Sequence, residues 1–182
     1  MKRSAPLARK TPLARKSSAV KAKAKKKPLP SIKQLRDKLW ELTSLYVRAR
    51  EADVSGMAAC VTCGVRKPWK ELQAGHWIPR VRGNGTRWDL RNIHPQCSQC
   101  NLLEGGNLAP YYLYMVNRYG PSVLEELALK SGSTVQFKRA DYEARIEDIA
   151  GRLARLGLRS SPVVTFRSRQ SVGRTWEQDH IS

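Results

Sequence analysis

Two stretches of the chain carry apolar residues at the spacing of one helix face, with polar residues at the other positions. The first begins after Ser31, which can cap a helix, and ends near Asp53; its apolar positions are Ile32, Leu35, Leu39, Leu42 and Tyr46. The second runs from about Ala140 to Leu156, and Gly157 closes it; its apolar positions are Tyr142, Ile146, Ile149, Leu153 and Leu156. Both patterns predict amphipathic surface helices. We expect the first to pack against segment 60–107, with a dimer seam as the alternative.

Glycine and proline mark further boundaries. A helix is predicted from about Pro110 to Tyr119, where Gly120 ends it, and Pro121 suits the first turn of another helix through about Lys130. The predicted class is α+β. Its parts are an arm (1–30), a domain (31–157) made of a helix (31–53), a core (60–107) and further helices (110–157), and an irregular tail (158–182) with a short strand at 162–166.

Lysine and arginine make the chain strongly basic, with 34 such residues against 15 acidic ones and a formal charge of +19. Residues 1–27 hold 11 of the basic residues and no acidic one, and they repeat Pro-Leu-Ala-Arg-Lys at Pro6 and Pro12. Because so few apolar residues cannot form a core, the arm is predicted to be disordered. We expect it to bind DNA phosphates through residues that include Lys25, Lys26 and Lys27, with a flexible solubilising tail as the alternative.

The apolar pattern argues against a membrane location. No apolar run approaches the roughly 20 residues that span a bilayer, and the amino terminus lacks the apolar core of a secretory signal. The expectation is a cytoplasmic protein whose partner is a polyanion, DNA or RNA, rather than a membrane.

The four cysteines form two pairs of equal spacing, Cys60-Val-Thr-Cys63 and Cys97-Ser-Gln-Cys100. Two disulfides are the alternative in a secreted protein, whereas a reducing compartment favours metal ligands. Two such turns supply four tetrahedral thiolates and leave no position for substrate, so a structural Zn²⁺ is predicted. Since 33 residues separate Cys63 from Cys97, more than a minimal zinc ribbon needs, the chain carries an insertion between the pairs.

The insertion resembles an HNH, or ββα-metal, nuclease. Two short strands are predicted, around His76 and over 87–92, followed by a helix that starts near Cys100. The resemblance implies that His76 is the general base, that Asn92 steadies the first strand, and that Asn101 binds a catalytic Mg²⁺ or Mn²⁺. An imidazole can take a proton from water near neutral pH, and an amide oxygen suits a hard divalent cation.

A narrower resemblance covers Cys60 to about Leu127. The chain resembles the phage NinG/Rap recombination family at these positions: Ala74-Gly75-His76, Asn92-Ile93-His94, Gln96-Cys97, Cys100-Asn101, Gly106-Asn107-Leu108 and Tyr111. Segment 97–105 is also similar to the second zinc knuckle of phage endonuclease VII, where the Asn binds metal and the Glu, here Glu104, is catalytic. The resemblances imply an endonuclease for branched DNA, including Holliday junctions, in phage recombination. Two symmetric cuts would call for a homodimer.

The residue before the proposed base departs from the HNH pattern. Many HNH enzymes carry a metal-binding Asp where this chain has Gly75. The replacement ligand would be His94, Asp89, Glu104 or His76 itself. The alternative for His94, which we weigh equally, is packing beside the zinc. The equal alternative for Glu104 is a solvent-exposed acid on a helix. The departure is the main argument for a rival hypothesis, a zinc-containing nucleic-acid-binding protein without catalysis.

Three arginines follow the proposed base, namely Arg80, Arg82 and Arg87. They are expected to form a basic loop that contacts DNA phosphates, with a solvated loop as the alternative.

Overall fold

The structure, a computed structural model, describes residues 28–158. In chain order its main elements are α1 (Ile32–Ala49), β1 (Met57–Ala59), β2 (Arg66–Pro68), β3 (Gln73–His76), β4 (Ile93–Gln96), α2 (Leu108–Tyr119), α3 (Pro121–Ser131) and α4 (Arg139–Arg155). The mixture of helices and small sheets confirms the α+β class. The predicted DNA-binding arm with Lys25, Lys26 and Lys27 lies outside the described residues, as does the strand predicted at 162–166.

Helix α1 begins at Ile32 because Ser31 and Gln34 form a reciprocal cap. The Ser31 hydroxyl accepts a hydrogen bond from the Gln34 amide at 3.2 Å, and the Gln34 side chain accepts one from the Ser31 amide at 2.6 Å. The helix ends at Ala49, before the predicted end near Asp53. The Asp53 carboxylate accepts hydrogen bonds from the backbone amides of Ser55 and Met57, each at 2.9 Å, which form the turn that leads into β1.

The apolar faces of α1 and α4 pack against each other. Their buried cluster contains Leu35, Leu39, Leu42, Tyr142, Ile146, Ile149 and Leu153, together with Trp88. The expected packing of α1 against segment 60–107 is therefore confirmed only in part, because α4 covers most of the face. That segment supplies Trp88 and, near the end of α1, Ala74 and Ile93 around Val47. Helix α1 thus contacts both α4 and the strands β3 and β4.

Two small antiparallel sheets carry the middle of the chain. β1 pairs with β2, a hairpin that the apolar pattern did not predict, and β3 pairs with β4, with His76 opposite Ile93. The strand predicted around His76 is confirmed, but the strand predicted over 87–92 is wrong. The Asp89 carboxylate caps a short 3-10 helix over Leu90–Asn92, so extended backbone begins only at Ile93.

The helix predicted to start near Cys100 is a single wide π-helical turn, Gln99–Leu103. Gly105 and Gly106 end it with φ of 58° and 97°, conformations that favour glycine. The next α-helix, α2, begins only at Leu108.

Helices α2 and α3 agree with the sequence prediction. Gly120, with φ of 79°, separates them, and Pro121 occupies the first turn of α3. Tyr111 and Met115 of α2 are buried against Leu127 of α3. Within residues 28–158, no helix combines the length and the apolar content that crossing a bilayer requires.

Candidate metal centre and adjoining cleft

The structure brings the sulfur atoms of Cys60, Cys63, Cys97 and Cys100 within 4.8 Å of one another. Three of these cysteines are buried and Cys63 is exposed. The sulfurs of Cys63 and Cys97 are 3.8 Å apart, close to the roughly 3.8 Å between two tetrahedral sulfurs that each lie about 2.3 Å from zinc. The four cysteines are therefore positioned to bind a metal ion, an arrangement consistent with structural zinc.

Backbone hydrogen bonds shape the turns that present these sulfurs. The Gly64 amide donates to the Cys60 carbonyl at 2.9 Å, and Gly64 has φ of 74°, which lets the chain reverse directly after Cys63. The Val61 amide donates to the Pro95 carbonyl of β4 at 3.0 Å, which ties the first pair to the strand that leads into the second.

The thiols of the cluster differ in acidity. Burial raises the pKa of Cys60, but hydrogen bonds from the Thr62 hydroxyl and from backbone amides lower it by a larger amount. The net result is a pKa of about 6. Burial raises the pKa of Cys100 to about 12, because the nearby hydrogen bonds from Thr62 and Asn107 compensate only in part. A divalent cation would supply the positive charge that keeps all four sulfurs as thiolates.

His76 and Asn101 line one open cleft of about 570 Å³, directly beside the cysteine cluster. The cleft lies between α1, β3 and the π-helical turn that follows Cys97. Two basic residues, Arg48 and Arg80, also line it. The structure therefore brings together the two residues that the HNH resemblance singled out, in a positively charged setting.

The imidazole of His76 is held in one orientation. Its Nε2 lies 3.1 Å from the Arg87 carbonyl oxygen, and since a carbonyl can only accept, Nε2 carries the proton and Nδ1 keeps a lone pair. The ring stacks on the indole of Trp40, with centroids 5.2 Å apart. Burial lowers the pKa of His76 to about 4; the bond to the Arg87 carbonyl opposes this decrease, and the charges of Arg80 and Arg87 add to it. The imidazole is therefore neutral at physiological pH.

Asn101 follows the last cysteine and points back toward β3. Its amide nitrogen donates to the Gln73 side-chain oxygen at 2.6 Å, which fixes the amide plane and directs Oδ1 toward Gly75. Its backbone amide donates to the Cys97 carbonyl at 3.0 Å, so the cysteine turn positions this residue. The amide oxygen is a suitable ligand for a hard cation in the cleft.

Asn92 is fully buried and joins three parts of the insertion. Its Oδ1 accepts a hydrogen bond from the Ile78 amide at 2.7 Å, and its Nδ2 donates to the Ile78 and Thr86 carbonyls, each at 3.2 Å. The contacts hold the chain leaving β3 against the chain entering β4. This geometry agrees with the strand-steadying role that the resemblance implies.

His94 lies outside the cleft, although it was a candidate ligand. It is wholly buried on β4, where its ring nitrogens lie 3.0 Å from the Tyr111 hydroxyl and 2.9 Å from the Tyr119 hydroxyl. Burial, with the charges of Arg50 and Arg118, lowers its pKa to about 3. Its position fits the packing alternative, because both nitrogens already have partners.

The two acidic candidates are also directed elsewhere. Asp89 forms an ion pair with Arg91 at 2.8 Å, and Arg91 also pairs with Glu126. Glu104 is exposed and accepts a hydrogen bond from Gln99 at 3.2 Å. Neither carboxylate lines the cleft that holds His76 and Asn101. Within residues 28–158, every side chain that lines this cleft is therefore neutral or basic.

The three loop arginines occupy different surroundings. Arg80 is exposed at the rim of the cleft, with its guanidinium 5.2 Å from the Trp40 ring centroid. Arg82 is exposed further along the loop, whereas Arg87 is half-buried over Trp88. Asn84 anchors the loop by exchanging two hydrogen bonds with the Val135 backbone. Arg80 and Arg82 are therefore the members of this set that are open to a ligand.

Two residues that line the cleft, Trp40 and Arg48, were not predicted from the sequence, and the contacts of Gln96 were not predicted either. Trp40 and Arg48 lie on the polar side of the α1 stripe and line the cleft, whereas Gln96 is buried at the end of β4. A tryptophan and an arginine eight positions apart on one helix face are a weak signal, because the same pattern is common on ordinary surfaces. Gln96 stands directly before Cys97, where only the folded geometry shows its contacts.

The fold and site define an α+β protein in which four cysteines positioned to bind a metal ion adjoin a basic, histidine-containing cleft. The family model described as "Bacteriophage Lambda NinG protein" matches residues 2–157. The chain therefore belongs to the NinG family.

Three curated relatives illustrate the similarity. "Protein ninG" of Escherichia phage 933W is 30% identical over 115 residues, which are 60% of this chain and 55% of the relative. The proteins of the same name from Salmonella phage P22 and Escherichia phage lambda are 28% and 26% identical over 60% of this chain and 54% of each relative. The chain thus spans about half the length of these relatives. No solved structure shows significant similarity to it.

Proposed function

We propose that this chain is a metal-dependent endonuclease that cuts branched DNA, including Holliday junctions, during phage recombination. The observation that carries the proposal is the placement of a neutral histidine with a free Nδ1 in the same cleft as the Asn101 amide. Hydrolysis of a phosphodiester needs a base for water and a cation for the leaving oxygen, and these residues suit the two tasks.

His76 would take a proton from water at Nδ1 while Nε2–H remains bonded to the Arg87 carbonyl. The bond fixes the tautomer and directs the lone pair, which is the role a second hydrogen bond has in other histidine bases. A pKa near 4 makes the free imidazole a weak base. A DNA phosphate in the cleft would offset the charges of Arg80 and Arg87 and raise that pKa.

Asn101 would hold the catalytic Mg²⁺ or Mn²⁺, whose chemistry is to offset charge on the scissile phosphate. The fit rests on its amide oxygen, which is oriented by the bond from Nδ2 to Gln73. Asn92 would act at a distance, by keeping β3 and the loop after it in register.

The four-cysteine cluster would carry a structural Zn²⁺ with no position open to substrate, since all four ligands are thiolates. Its task would be to fix the turn from which Asn101 projects. Arg80, Arg82 and Arg87, together with Lys25, Lys26 and Lys27 of the arm, would bind phosphates. Two symmetric cuts at a junction would require a homodimer in the host cytoplasm.

One observation favours a second candidate, a zinc-containing protein that binds nucleic acid without cutting it. Among the described residues, none that lines the cleft carries a carboxylate, the ligand that Mg²⁺ sites in proteins usually contain. This second candidate predicts the same binding preference for DNA as the nuclease proposal, but no cut DNA when Mg²⁺ or Mn²⁺ is added.

The experiment is to incubate the full chain with a synthetic four-way junction and with a linear duplex of equal length, in Mg²⁺ or Mn²⁺. The proposal predicts cutting of the junction, little cutting of the duplex, and much slower cutting of the junction by His76→Ala. Binding without cutting in either metal favours the second candidate. Equal binding of both DNAs, with no cutting, contradicts the branched-DNA assignment as well.

A further inference from the structure

We propose that Gln96 supplies the missing cation ligand, so that its Oε1 and the Asn101 Oδ1 together hold the divalent ion beside Gly75. The assignment rests on the proposed function, which it deepens, and it replaces the acidic and histidine candidates. It comes from three features of the structure, namely an unpaired amide oxygen, the converging oxygen of a second amide, and a glycine that leaves room for both.

Gln96 is a buried side chain whose amide nitrogen forms hydrogen bonds and whose amide oxygen forms none with the described residues. Its Nε2 donates to the Gly106 carbonyl at 2.8 Å and to the Thr62 hydroxyl at 3.3 Å. Because a carbonyl can only accept, these contacts fix which end of the amide is nitrogen. The oxygen Oε1 therefore faces the opposite way, toward Gly75, and no described residue donates to it. A buried acceptor without a donor is unfavourable unless another group satisfies it.

Gly75 shows where that oxygen points. A Cβ built on Gly75 would lie 1.9 Å from the Gln96 Oε1 and 2.9 Å from the Asn101 Oδ1. Both oxygens thus lie within 2.9 Å of one point. The two oxygens are therefore at most about 4.8 Å apart, near the roughly 4.2 Å that limits two ligands each about 2.1 Å from one Mg²⁺. A side chain at this position would strike the Gln96 amide, which would have to move.

The two amides are oriented in the same manner. Each is fixed through its nitrogen, that of Gln96 by Gly106 and that of Asn101 by Gln73, and each leaves its oxygen beside Gly75. Gln96 directly precedes Cys97 and Asn101 directly follows Cys100. The cysteine turn therefore sets the separation of the two oxygens. Oxygen donors held in this way suit Mg²⁺ or Mn²⁺ rather than zinc.

A pair of neutral ligands has a chemical consequence. Without a carboxylate, the site attracts a cation weakly until a DNA phosphate adds negative charge, because Mg²⁺ sites commonly share their ion with substrate phosphates. The free protein should therefore bind Mn²⁺ in a low-affinity range, and cutting should require more metal than a carboxylate site needs.

The test measures Mn²⁺ bound to the zinc-loaded full chain from the loss of the free Mn²⁺ signal in electron paramagnetic resonance. We expect one site beyond the cysteine cluster, weakened at least about tenfold by Gln96→Ala or by Asn101→Ala. Gln99→Ala, an exposed amide that bonds to Glu104, is the matched control and should bind Mn²⁺ as the parent does.

A ligand exchange separates coordination from a purely structural role of Gln96. In the Gln96→Ala background the space beside Gly75 is free, so Gly75→Asp would place a carboxylate where the amide oxygen was. Mn²⁺ affinity should return to the parental value or exceed it. A structural role through Nε2 predicts no such recovery, because the bonds to Gly106 and Thr62 remain lost. Zinc content and circular dichroism identify any variant that fails to fold.

Three results would each overturn the assignment. They are a folded Gln96→Ala that binds Mn²⁺ as tightly as the parent, a folded double variant that does not recover Mn²⁺ affinity, and a parent that has no Mn²⁺ site. Junction cutting that is unaffected by Gln96→Ala would remove this ligand and leave the nuclease proposal intact. If the parent binds Mn²⁺ through Gln96 but never cuts DNA, the assignment of the metal site stands and the nuclease proposal is wrong.

Discussion

The indole of Trp40 stacks on the imidazole of His76, with ring centroids 5.2 Å apart and planes inclined by 22°. Trp40 projects from α1, whereas His76 ends β3, so the contact couples the long helix to the proposed base. The stack shields one face of the imidazole from water, which agrees with burial being the main cause of its lowered pKa. Position, tautomer and pKa of His76 are thus set by residues from three different segments.

Replacing Trp40 with leucine should raise the pKa of His76. The parent value is about 4 because burial disfavours the imidazolium, and exposure of the ring moves it toward the ordinary value of about 6.5. In the absence of DNA, His76 of the parent should stay neutral as the pH falls from 7 to 5, whereas His76 of Trp40→Leu should gain a proton from near pH 6. Nitrogen-15 NMR titration of the histidine rings measures the pKa directly.

The matched control is Trp77→Leu, since Trp77 packs on Tyr111 and Tyr112 rather than on His76. Because the unfolded chain binds a proton below about pH 6.5 while folded His76 stays neutral, the free energy of unfolding should also fall between pH 6.5 and 4. A parent pKa near 6.5, or an equal shift in both variants, would contradict this account of the stack.

Asn92→Ala should destabilise the fold. The substitution removes three side-chain hydrogen bonds and leaves part-buried backbone groups of Ile78 and the buried carbonyl of Thr86 without them. The expected loss is about 2–4 kcal/mol in the free energy of unfolding, measured by urea denaturation. The control is Asn84→Ala, which loses a similar pair of bonds at an exposed site and should cost less. An Asn92→Ala loss below about 1 kcal/mol would show that these bonds do not hold the insertion together.

The sequence predicts the helical part of this fold well. The stripes from Leu35 to Leu42 and from Tyr142 to Leu153 are buried as expected, and Gly120 separates α2 from α3. These features depend on local spacing and on backbone preferences, which a single sequence displays. By contrast, the strand predicted over 87–92 fails because the Asp89 cap stabilises a 3-10 turn locally.

The candidate site is predictable only where it follows a motif. The spacing of the cysteine pairs predicts their convergence, and the resemblance places His76 and Asn101 in one cleft, as the structure does. The contacts of Trp40 and Gln96 depend on which faces of distant segments meet. No spacing in the chain indicates that the Gln96 amide fills the space that Gly75 leaves open.

Arg80→Ala should weaken DNA binding and reduce its dependence on salt. Arg80 is exposed at the rim of the cleft, and each lost phosphate contact lowers the slope of log K against log salt by about 0.9. Fluorescence anisotropy with a labelled junction at several salt concentrations gives the slope. Arg66→Ala is the control because Arg66 pairs with Asp53 on the hairpin. Equal slopes for the parent and Arg80→Ala would remove Arg80 from the interface.

Cys97→Ser should release the metal and destabilise the chain. Cys97 is buried, and its sulfur lies 3.8 Å from that of Cys63, so serine would leave an incomplete set of ligands. Elemental analysis should find one zinc per parent chain and less than about one tenth of that in the variant, with a lower Tm, because structural zinc contributes to folding. A variant that keeps its zinc and its Tm would show that the cysteines do not form a metal centre.

The most direct measurement is the single-turnover rate at which a four-way junction is cut in Mn²⁺ by the parent and by His76→Ala. Loss of a general base typically lowers the rate by about 10²–10⁴-fold, and we expect a decrease in this range with DNA affinity unchanged. His180→Ala, the replacement of a histidine outside residues 28–158, is the control and should cut at the parental rate. Cutting by His76→Ala at the parental rate would contradict the assignment of this cleft as the nuclease site.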